Sequence, residues 1–240
     1  SIMKSKKTTV FFDYGEPPKK DFSNSYQSGP LSFEYYVNDK KIITNCGYGR
    51  KISKKAELVS RLTSAQSSVT INDTSVTKFE RNKIINSAFG TSIKSSFKIK
   101  DYEYKEDLKS IAVSASHDAY QNNFGLIHLR NIILQKQEDN LYGEDKFISA
   151  KNDKLPCTYN IRFHLYPGII PVQTLGGSTI LIPIEKNKSL IFISKEEDLK
   201  IEKSIFLGRN EILNNFCINI SGRLKNNEDK LVKWSIKKNN

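Results

Sequence analysis

Two of the three histidines in this chain of 240 residues lie within one short stretch, SASHDAYQNNFGLIHLR, at positions 114–130. These are His117 and His128, and the third, His164, follows in the stretch YNIRFHLYP. Imidazole is the usual proton-transfer group near neutral pH and the commonest metal ligand in proteins. The three histidines could therefore form a metal site, and the letters SHD at 116–118 supply the residue types of a nucleophilic triad.

The spacing of these residues argues against both kinds of chemistry. The gaps of 11 residues (117 to 128) and 36 residues (128 to 164) match no compact metal-ligand motif. The imidazoles could share a metal only if neighbouring strands brought them together. A catalytic triad needs a geometry that consecutive residues of one strand do not provide. Hydrogen-bonded structural histidines are therefore the favoured interpretation, and a metal site is the alternative.

Strands must position these side chains, because most of the chain shows period-two alternation interrupted by turn residues. About a dozen such segments recur at the spacing that is typical of a sandwich or barrel. The stretches 31–37 and 41–47 predict one hairpin, and 67–71 with 74–79 predict another. We therefore predict an all-β fold, a large antiparallel β-sandwich of stacked sheets, as a single domain over residues 1–240.

We expect at most one or two short helices beside these strands. The clearest helical pattern covers residues 53–62, where Ala56, Val59 and Leu62 recur at helical spacing. Ser53 is suited to be the N-cap of this helix.

Two predicted strands carry informative polar residues. In 158–166, alternation places Tyr159 and its odd-numbered neighbours on a core face, and Arg162 and His164 on a polar face. Such a polar face is expected where a sheet meets a polar ligand or another domain.

The second strand lies in 124–134 and is apolar on both faces, yet His128 and Arg130 share one of them. Buried polar groups need partners. Asp118 or Glu144 could supply them.

The composition indicates an acidic partner and little redox or metal chemistry. Thirty-eight Lys and Arg against 26 Asp and Glu give a formal net charge of +12. This charge favours anionic polysaccharide, nucleic acid or a membrane surface as partner, although a lysine-rich solvated surface is the alternative. No RNA-binding signature is present, so nucleic acid is not the expected partner. The three cysteines are widely spaced, and no apolar run is long enough for a transmembrane segment.

Several stretches, in order, carry a resemblance to a known family: VFFDYGEPPKKDFSNSYQSGPLSFEYYVNDKKIITNCGYG, SAQSSVTINDTS, SASHDAYQNNFGLIHLR, LYGEDKF, RFHLYPG and SIFLGR. Over nearly its whole length the chain resembles the C-terminal β-sandwich portion of heparinase II/III-like proteins. The resemblance implies a polysaccharide lyase that cleaves uronic-acid glycans, such as heparan sulfate or alginate, by β-elimination. It also implies an N-terminal α/α-toroid, absent from this chain, as a partner domain, and a place in the periplasm or cell envelope.

The chain departs from the family at two of three positions that carry metal-binding or polar residues in relatives. Where relatives carry His in the segments matching YQSGPLSFE and SAQSSVTI, this chain has Gln27 and Gln66, and Asn45 stands where they have Asp or Asn. Several relatives bind a metal in this portion, but amides are poor zinc ligands compared with imidazole or carboxylate. We therefore expect no metal and no other cofactor here. Each amide offers both donors and an acceptor, so the three could bind sugar hydroxyls instead.

These observations predict the C-terminal β-sandwich domain of a heparinase II/III-like polysaccharide lyase, inactive in isolation. The alternative is a non-catalytic binding module for acidic polysaccharide. No catalytic residue is assigned. The predicted substrate-binding residues are Gln27, Asn45, Gln66, His117, Tyr120, His128, Arg162 and His164.

Overall fold

The computed structural model describes residues 1–82, 84, 86, 90–149, 156–186, 188–194, 198–208, 210–225 and 228–239. These residues form sixteen strands in two eight-stranded sheets, and each strand pairs antiparallel with its neighbours. The predicted all-β sandwich of stacked sheets is confirmed. The apolar faces of both sheets meet in one continuous core.

The first sheet has the order β1-β2-β3-β4-β10-β15-β14, and β5 pairs separately with β10. Its strands are β1 (Ile2–Lys4), β2 (Thr8–Phe12), β3 (Phe33–Val37), β4 (Lys40–Thr44), β5 (Val69–Ile71), β10 (Cys157–Leu165), β14 (Asp198–Gly208) and β15 (Glu211–Leu224).

The second sheet has the order β11-β12-β13-β16-β9-β8-β7-β6. Its strands are β6 (Ile99–Glu106), β7 (Ser110–His117), β8 (Leu126–Gln135), β9 (Leu141–Ser149), β11 (Val172–Gln173), β12 (Thr179–Glu185), β13 (Lys188–Ile193) and β16 (Lys230–Asn239).

The α-helices whose bounds the structure gives are short, α1 (Lys54–Ser60) and α2 (Gln121–Phe124). The predicted N-cap of α1 is confirmed, because the Ser53 hydroxyl accepts a hydrogen bond from the Ala56 N–H at 3.1 Å. Within the described residues, no helix is long and apolar enough to cross a membrane.

The hairpin predicted at 67–71 and 74–79 is wrong in its second half. Val69–Ile71 forms β5 as expected, but only an isolated bridge joins Ile71 to Thr74. β5 instead pairs with β10, as in the match of Val69 with Ile161. An apolar strand removes more apolar surface from water by joining the middle of a large sheet than by pairing with a short exposed segment.

Aromatic rings fill the core between the sheets. The Trp234 indole stacks on Phe33 at a centroid distance of 5.5 Å and meets Phe163 edge-on at 4.8 Å. Trp234 lies directly across from Gly143 in the pairing of β16 with β9. A Cβ at Gly143 would overlap the indole ring, so glycine is what allows the ring to lie flat against β9.

Candidate functional site

A cluster of polar side chains is buried at the centre of the second sheet, on its inner face. Alternation along β8 turns His128 and Arg130 inward, and Asp145 on β9 lies directly opposite Arg130. His117 at the end of β7 pairs with His128. All four side chains are fully buried.

One chain of hydrogen bonds runs through the two imidazoles. The Ala119 N–H donates to His117 Nδ1 at 3.3 Å, and His117 Nε2 lies 3.1 Å from His128 Nδ1. His128 Nε2 lies 2.7 Å from Asp145 Oδ1. Because a backbone N–H can only donate, His117 must carry its proton on Nε2 and donate it to His128. His128 then carries its proton on Nε2 and donates it to Asp145, so both rings are neutral with fixed tautomers.

Arg130 connects this cluster to the first sheet. Its Nε donates to Asp145 Oδ1 at 2.8 Å, and its Nη1 donates to the carbonyls of Leu31 and Ser67, each at 2.9 Å. Leu31 and Ser67 lie in the segments that lead into β3 and β5. The Trp234 indole N–H donates to the other Asp145 oxygen at 2.9 Å. The guanidinium therefore links both sheets.

Burial and charge set the protonation states of the cluster. Burial lowers the pKa of His117 well below its usual value, and the nearby His128 and Arg130 lower it further. Burial also lowers the pKa of His128, against the opposing effect of Asp145. Burial alone would raise the pKa of Asp145, but the Arg130 charge and the His128 hydrogen bond together hold it below the usual range. The cluster is therefore one buried ion pair with two neutral imidazoles.

The partners that the sequence suggested for this cluster are wrong. Asp118 instead pairs with Lys100 at 3.0 Å, and Glu144 pairs with Lys233 at 3.1 Å near the surface. Asp145, which the sequence analysis missed, is the partner. Strand parity could have found it, because Asp145 shares the inward parity of Phe147 in β9, whereas Glu144 does not.

His164 belongs to a different place in the molecule. It lies on the outer face of the first sheet, where its Nε2 is 3.0 Å from the Ser64 carbonyl. Its Nδ1 is 3.0 Å from Ser204 Oγ and 3.3 Å from Cys46 Sγ. Burial lowers the pKa of His164 to about 4, although the hydrogen bond to Ser64 raises it slightly. The structure therefore does not bring the three histidines together as metal ligands.

The three amides lie in adjoining segments, but each is bonded to nearby groups. Gln27 Nε2 donates to the Gly47 carbonyl at 2.7 Å. Asn45 Oδ1 accepts from the Ser67 N–H at 2.8 Å. Gln66 is buried, and its Nε2 donates to the Ser60 carbonyl at 2.8 Å.

This arrangement does not fit the metal that the resemblance implies. Two amide nitrogens point at carbonyl oxygens, and the Asn45 oxygen is already occupied by a backbone N–H. Among the residues that the structure describes, no group of three or more His, Cys, Asp and Glu side chains is placed to hold a metal ion. That the purified protein binds no metal remains a prediction.

The remaining two predicted residues differ in accessibility. The Tyr120 hydroxyl is buried and donates to the Val69 carbonyl at 2.8 Å, and burial raises its pKa. Arg162 remains partly exposed, with Nη1 2.6 Å from Thr70 Oγ1 and Nη2 3.0 Å from Asp73 Oδ1.

Arg162 belongs to a set of polar residues that we call the outer polar face of the first sheet. It consists of Asn160, Arg162, Glu202 and Asn219. Asn219 Nδ2 lies 2.9 Å from both Asn160 Oδ1 and Glu202 Oε1, and Arg162 lies opposite Asn219 in the pairing of β10 with β15. The polar face that alternation predicted for β10 is thus confirmed. The role of these residues in substrate binding stays a prediction.

Residues 1–235 match the family described as heparinase II/III-like, C-terminal. The chain belongs to this family. The heparan sulfate lyase HepC from Pedobacter heparinus has a similar structure, with a TM-score of 0.75, 12% identity, and coverage of 96% of this chain and 33% of that one. A structure of heparinase III gives a TM-score of 0.72 at 14% identity, again covering 96% of this chain and 33% of that one. These similarities show a shared fold.

A curated protein is also similar to this heparinase II/III-like chain. FtsZ-localized protein C of Caulobacter vibrioides is 24% identical over 180 residues, which cover 72% of this chain and 31% of that protein. The chain therefore spans about a third of the length of the relatives that it matches.

The buried histidines predict that this heparinase II/III-like domain loses stability in acid. All three have a folded-state pKa below the unfolded value, so the unfolded chain binds more protons as the pH falls. Stability is therefore complete above about pH 6.5 and is lost below it, by at most about 1.4 kcal/mol per pH unit for each histidine. For His164 the loss continues until the pH reaches its folded pKa of about 4.

Urea unfolding at a series of pH values from about 7.5 to about 5 measures this effect. The control is His164→Gln, which removes one of the three titrating groups and should flatten the dependence. A free energy of unfolding that is equal at both ends of the series would contradict the prediction.

Proposed function

We propose that this chain is the β-sandwich portion of a larger heparinase II/III-like protein, and that it binds acidic polysaccharide without cleaving it on its own. One observation supports the proposal that the chain does not cleave the glycan on its own. Every imidazole ring nitrogen of the chain is hydrogen-bonded, and the three histidines are at most 3% exposed.

β-Elimination of a uronic-acid glycan needs three groups around one sugar. One neutralises the carboxylate, a base removes the C5 proton, and an acid protonates the leaving oxygen. A general base must come within hydrogen-bond reach of its proton. The imidazoles and the Tyr120 hydroxyl are enclosed by neighbouring segments, so a glycan on the surface does not meet them. This supports a domain whose catalytic groups, where the full-length protein has them, lie elsewhere.

The proposed place in a longer protein rests on length. The chain covers 33% of the HepC structure and of the heparinase III structure described above, and 31% of the Caulobacter protein. We take residues 1–240 as one domain, and an N-terminal α/α-toroid as the partner that would complete a cleft.

The outer polar face supports the binding half of the proposal. Arg162 and Asn160 each keep part of the side chain exposed to solvent, and the buried Asn219 holds the Asn160 amide in place. Such planar side chains suit sugar hydroxyls and carboxylates. Gln27 and Asn45 are also partly exposed and could contribute, whereas a contact with Gln66 would require its cover to open.

We predict that the purified chain is retained on immobilised heparan sulfate at low salt and yields no unsaturated product from it. The product carries a conjugated uronate, so ultraviolet absorbance during a long incubation is the direct measurement. A heparinase III serves as the positive control. Product formation by this chain would overturn the non-catalytic half of the proposal, and failure to bind at any salt concentration would overturn the binding half.

A further inference from the structure

One end of the sandwich carries an excess of positive charge, and we call it the basic end. Five turns and the last residues of β16 meet there. The described residues of these segments include ten lysines and six acids: Lys4, Lys6, Lys7, Lys40, Lys109, Lys136, Lys186, Lys188, Lys237 and Lys238, with Asp39, Glu106, Asp107, Glu138, Asp139 and Glu185. The surplus of four positive charges is a third of the net charge of the chain.

A single buried carboxylate holds three of these segments together. Asp139, in the turn from β8 to β9, accepts from the Ser5 hydroxyl and, at 3.3 Å, from the Lys7 N–H of the β1–β2 turn. Its other oxygen accepts from Lys238 Nζ of β16 at 2.6 Å. The turn that carries Lys6 and Lys7 is therefore fixed against β9 and β16.

Further bonds attach the neighbouring turns. The Asn38 N–H of the β3–β4 turn donates to the Lys7 carbonyl at 2.7 Å. Lys136 Nζ lies 2.7 Å from Glu106 and 2.6 Å from the Asp107 carbonyl of the β6–β7 turn. The basic end is thus a cross-linked platform, and binding to it requires little ordering of the chain.

The acidic residues of this end are largely occupied by internal bonds. Asp139 accepts from the Lys7 N–H of the β1–β2 turn. Asp107 accepts from the N–H groups of Lys109 and Ser110. By contrast, the exposed lysines Lys4, Lys6, Lys7 and Lys109 form no ion pair with another residue that the structure describes. On the outer polar face, Arg162 is already paired with a carboxylate.

We infer that the basic end is the main charged surface through which the domain binds acidic polysaccharide, by contacts between lysine ammonium groups and the carboxylates or sulfates of the glycan. This inference rests on the binding half of the proposed function and names its surface. The cations named above for the basic end are all lysines. Lysines act as separate point charges and do not form the planar bidentate contacts that favour phosphate and base edges. That composition suits a chain of spaced anionic groups better than nucleic acid.

The test compares two double charge reversals in their affinity for heparin. Lys6→Glu with Lys7→Glu changes two unpaired side chains of the basic end. Lys54→Glu with Lys55→Glu changes two exposed lysines at the start of α1 and alters the net charge equally. We expect the first pair to weaken binding about tenfold and to reduce its salt dependence, and the second to weaken it less than about twofold.

A second variant, Asp139→Asn, distinguishes the effect of the ordered arrangement of the turns from the effect of net charge. It removes a negative charge, so net charge alone predicts tighter binding. Because it releases the β1–β2 turn from β16, we expect binding about threefold weaker. Thermal unfolding of each variant identifies any that fail to fold, and Lys6→Glu with Lys7→Glu leaves the backbone bond of Lys7 to Asp139 in place.

The outcomes are distinct. Absence of heparin binding by the unchanged chain contradicts the proposed function itself. Equal losses in the two double reversals, or tighter binding by Asp139→Asn, contradict the basic end as a positioned surface. Stronger binding to phosphatidylserine vesicles than to heparin, abolished by Lys6→Glu with Lys7→Glu, would show that the partner is a membrane instead.

Discussion

Replacement of Asp145 by asparagine is expected to lower the free energy of unfolding by about 3–5 kcal/mol, because it leaves the Arg130 charge buried without a partner. The asparagine has the same size, but its NH₂ group would face N–H donors. Arg130 Nε and His128 Nε2 approach one oxygen of Asp145, and Trp234 Nε1 approaches the other. Urea unfolding at neutral pH is the measurement.

Glu144→Gln is the matched control for this variant. It changes the neighbouring residue of β9 in the same way, but Glu144 faces outward and pairs with Lys233 near the surface. Its loss should stay below about 1 kcal/mol. If the two variants lost equal stability, the buried ion pair would not be what holds the cluster together.

Gly143→Ala is expected to destabilise the chain by about 3 kcal/mol, or to prevent folding, because the added methyl group overlaps the Trp234 indole. The indole cannot move away easily. It stacks on Phe33 and Phe192, and its N–H is bonded to Asp145. Displacing the ring would therefore disturb the aromatic core and the ion pair together.

Gly176→Ala is the control for this substitution, because a Cβ there meets no atom within 4 Å. Its midpoint of thermal unfolding should match that of the unchanged chain, while that of Gly143→Ala falls by many degrees. Near-ultraviolet circular dichroism would show whether the single Trp has left its packed position. A Gly143→Ala chain that unfolds at the original temperature would contradict this account of the core.

The features that could be predicted from sequence are those set by neighbouring residues. Period-two alternation placed Tyr159 in the core and Arg162 outside, since side chains on a strand must alternate. The Ser53 cap of α1 was predictable for the same local reason. The alternation also predicted the all-β sandwich, and the family resemblance implied the same fold.

What the sequence analysis missed depends on which strands lie side by side. Asp145 became the partner of Arg130 because β8 and β9 pair in one particular register, and Asp118 and Glu144 were equally near in sequence. The strand that pairs with β5 is β10, which lies about ninety residues away along the chain. The burial of the predicted contact residues, Gln66 among them, likewise follows from segments that come from distant parts of the chain.

The guanidinium of Arg130 also has a consequence for how the chain folds. It bonds to carbonyls 99 and 63 residues earlier, while its carboxylate partner is 15 residues later. Closing such long loops costs entropy before any contact compensates for it, and folds rich in distant contacts form slowly. The second sheet can form the Arg130–Asp145 ion pair by itself, but Arg130 Nη1 meets its two carbonyl acceptors only when the segments before β3 and β5 pack against that sheet. We therefore expect the two sheets to join in one late step of folding.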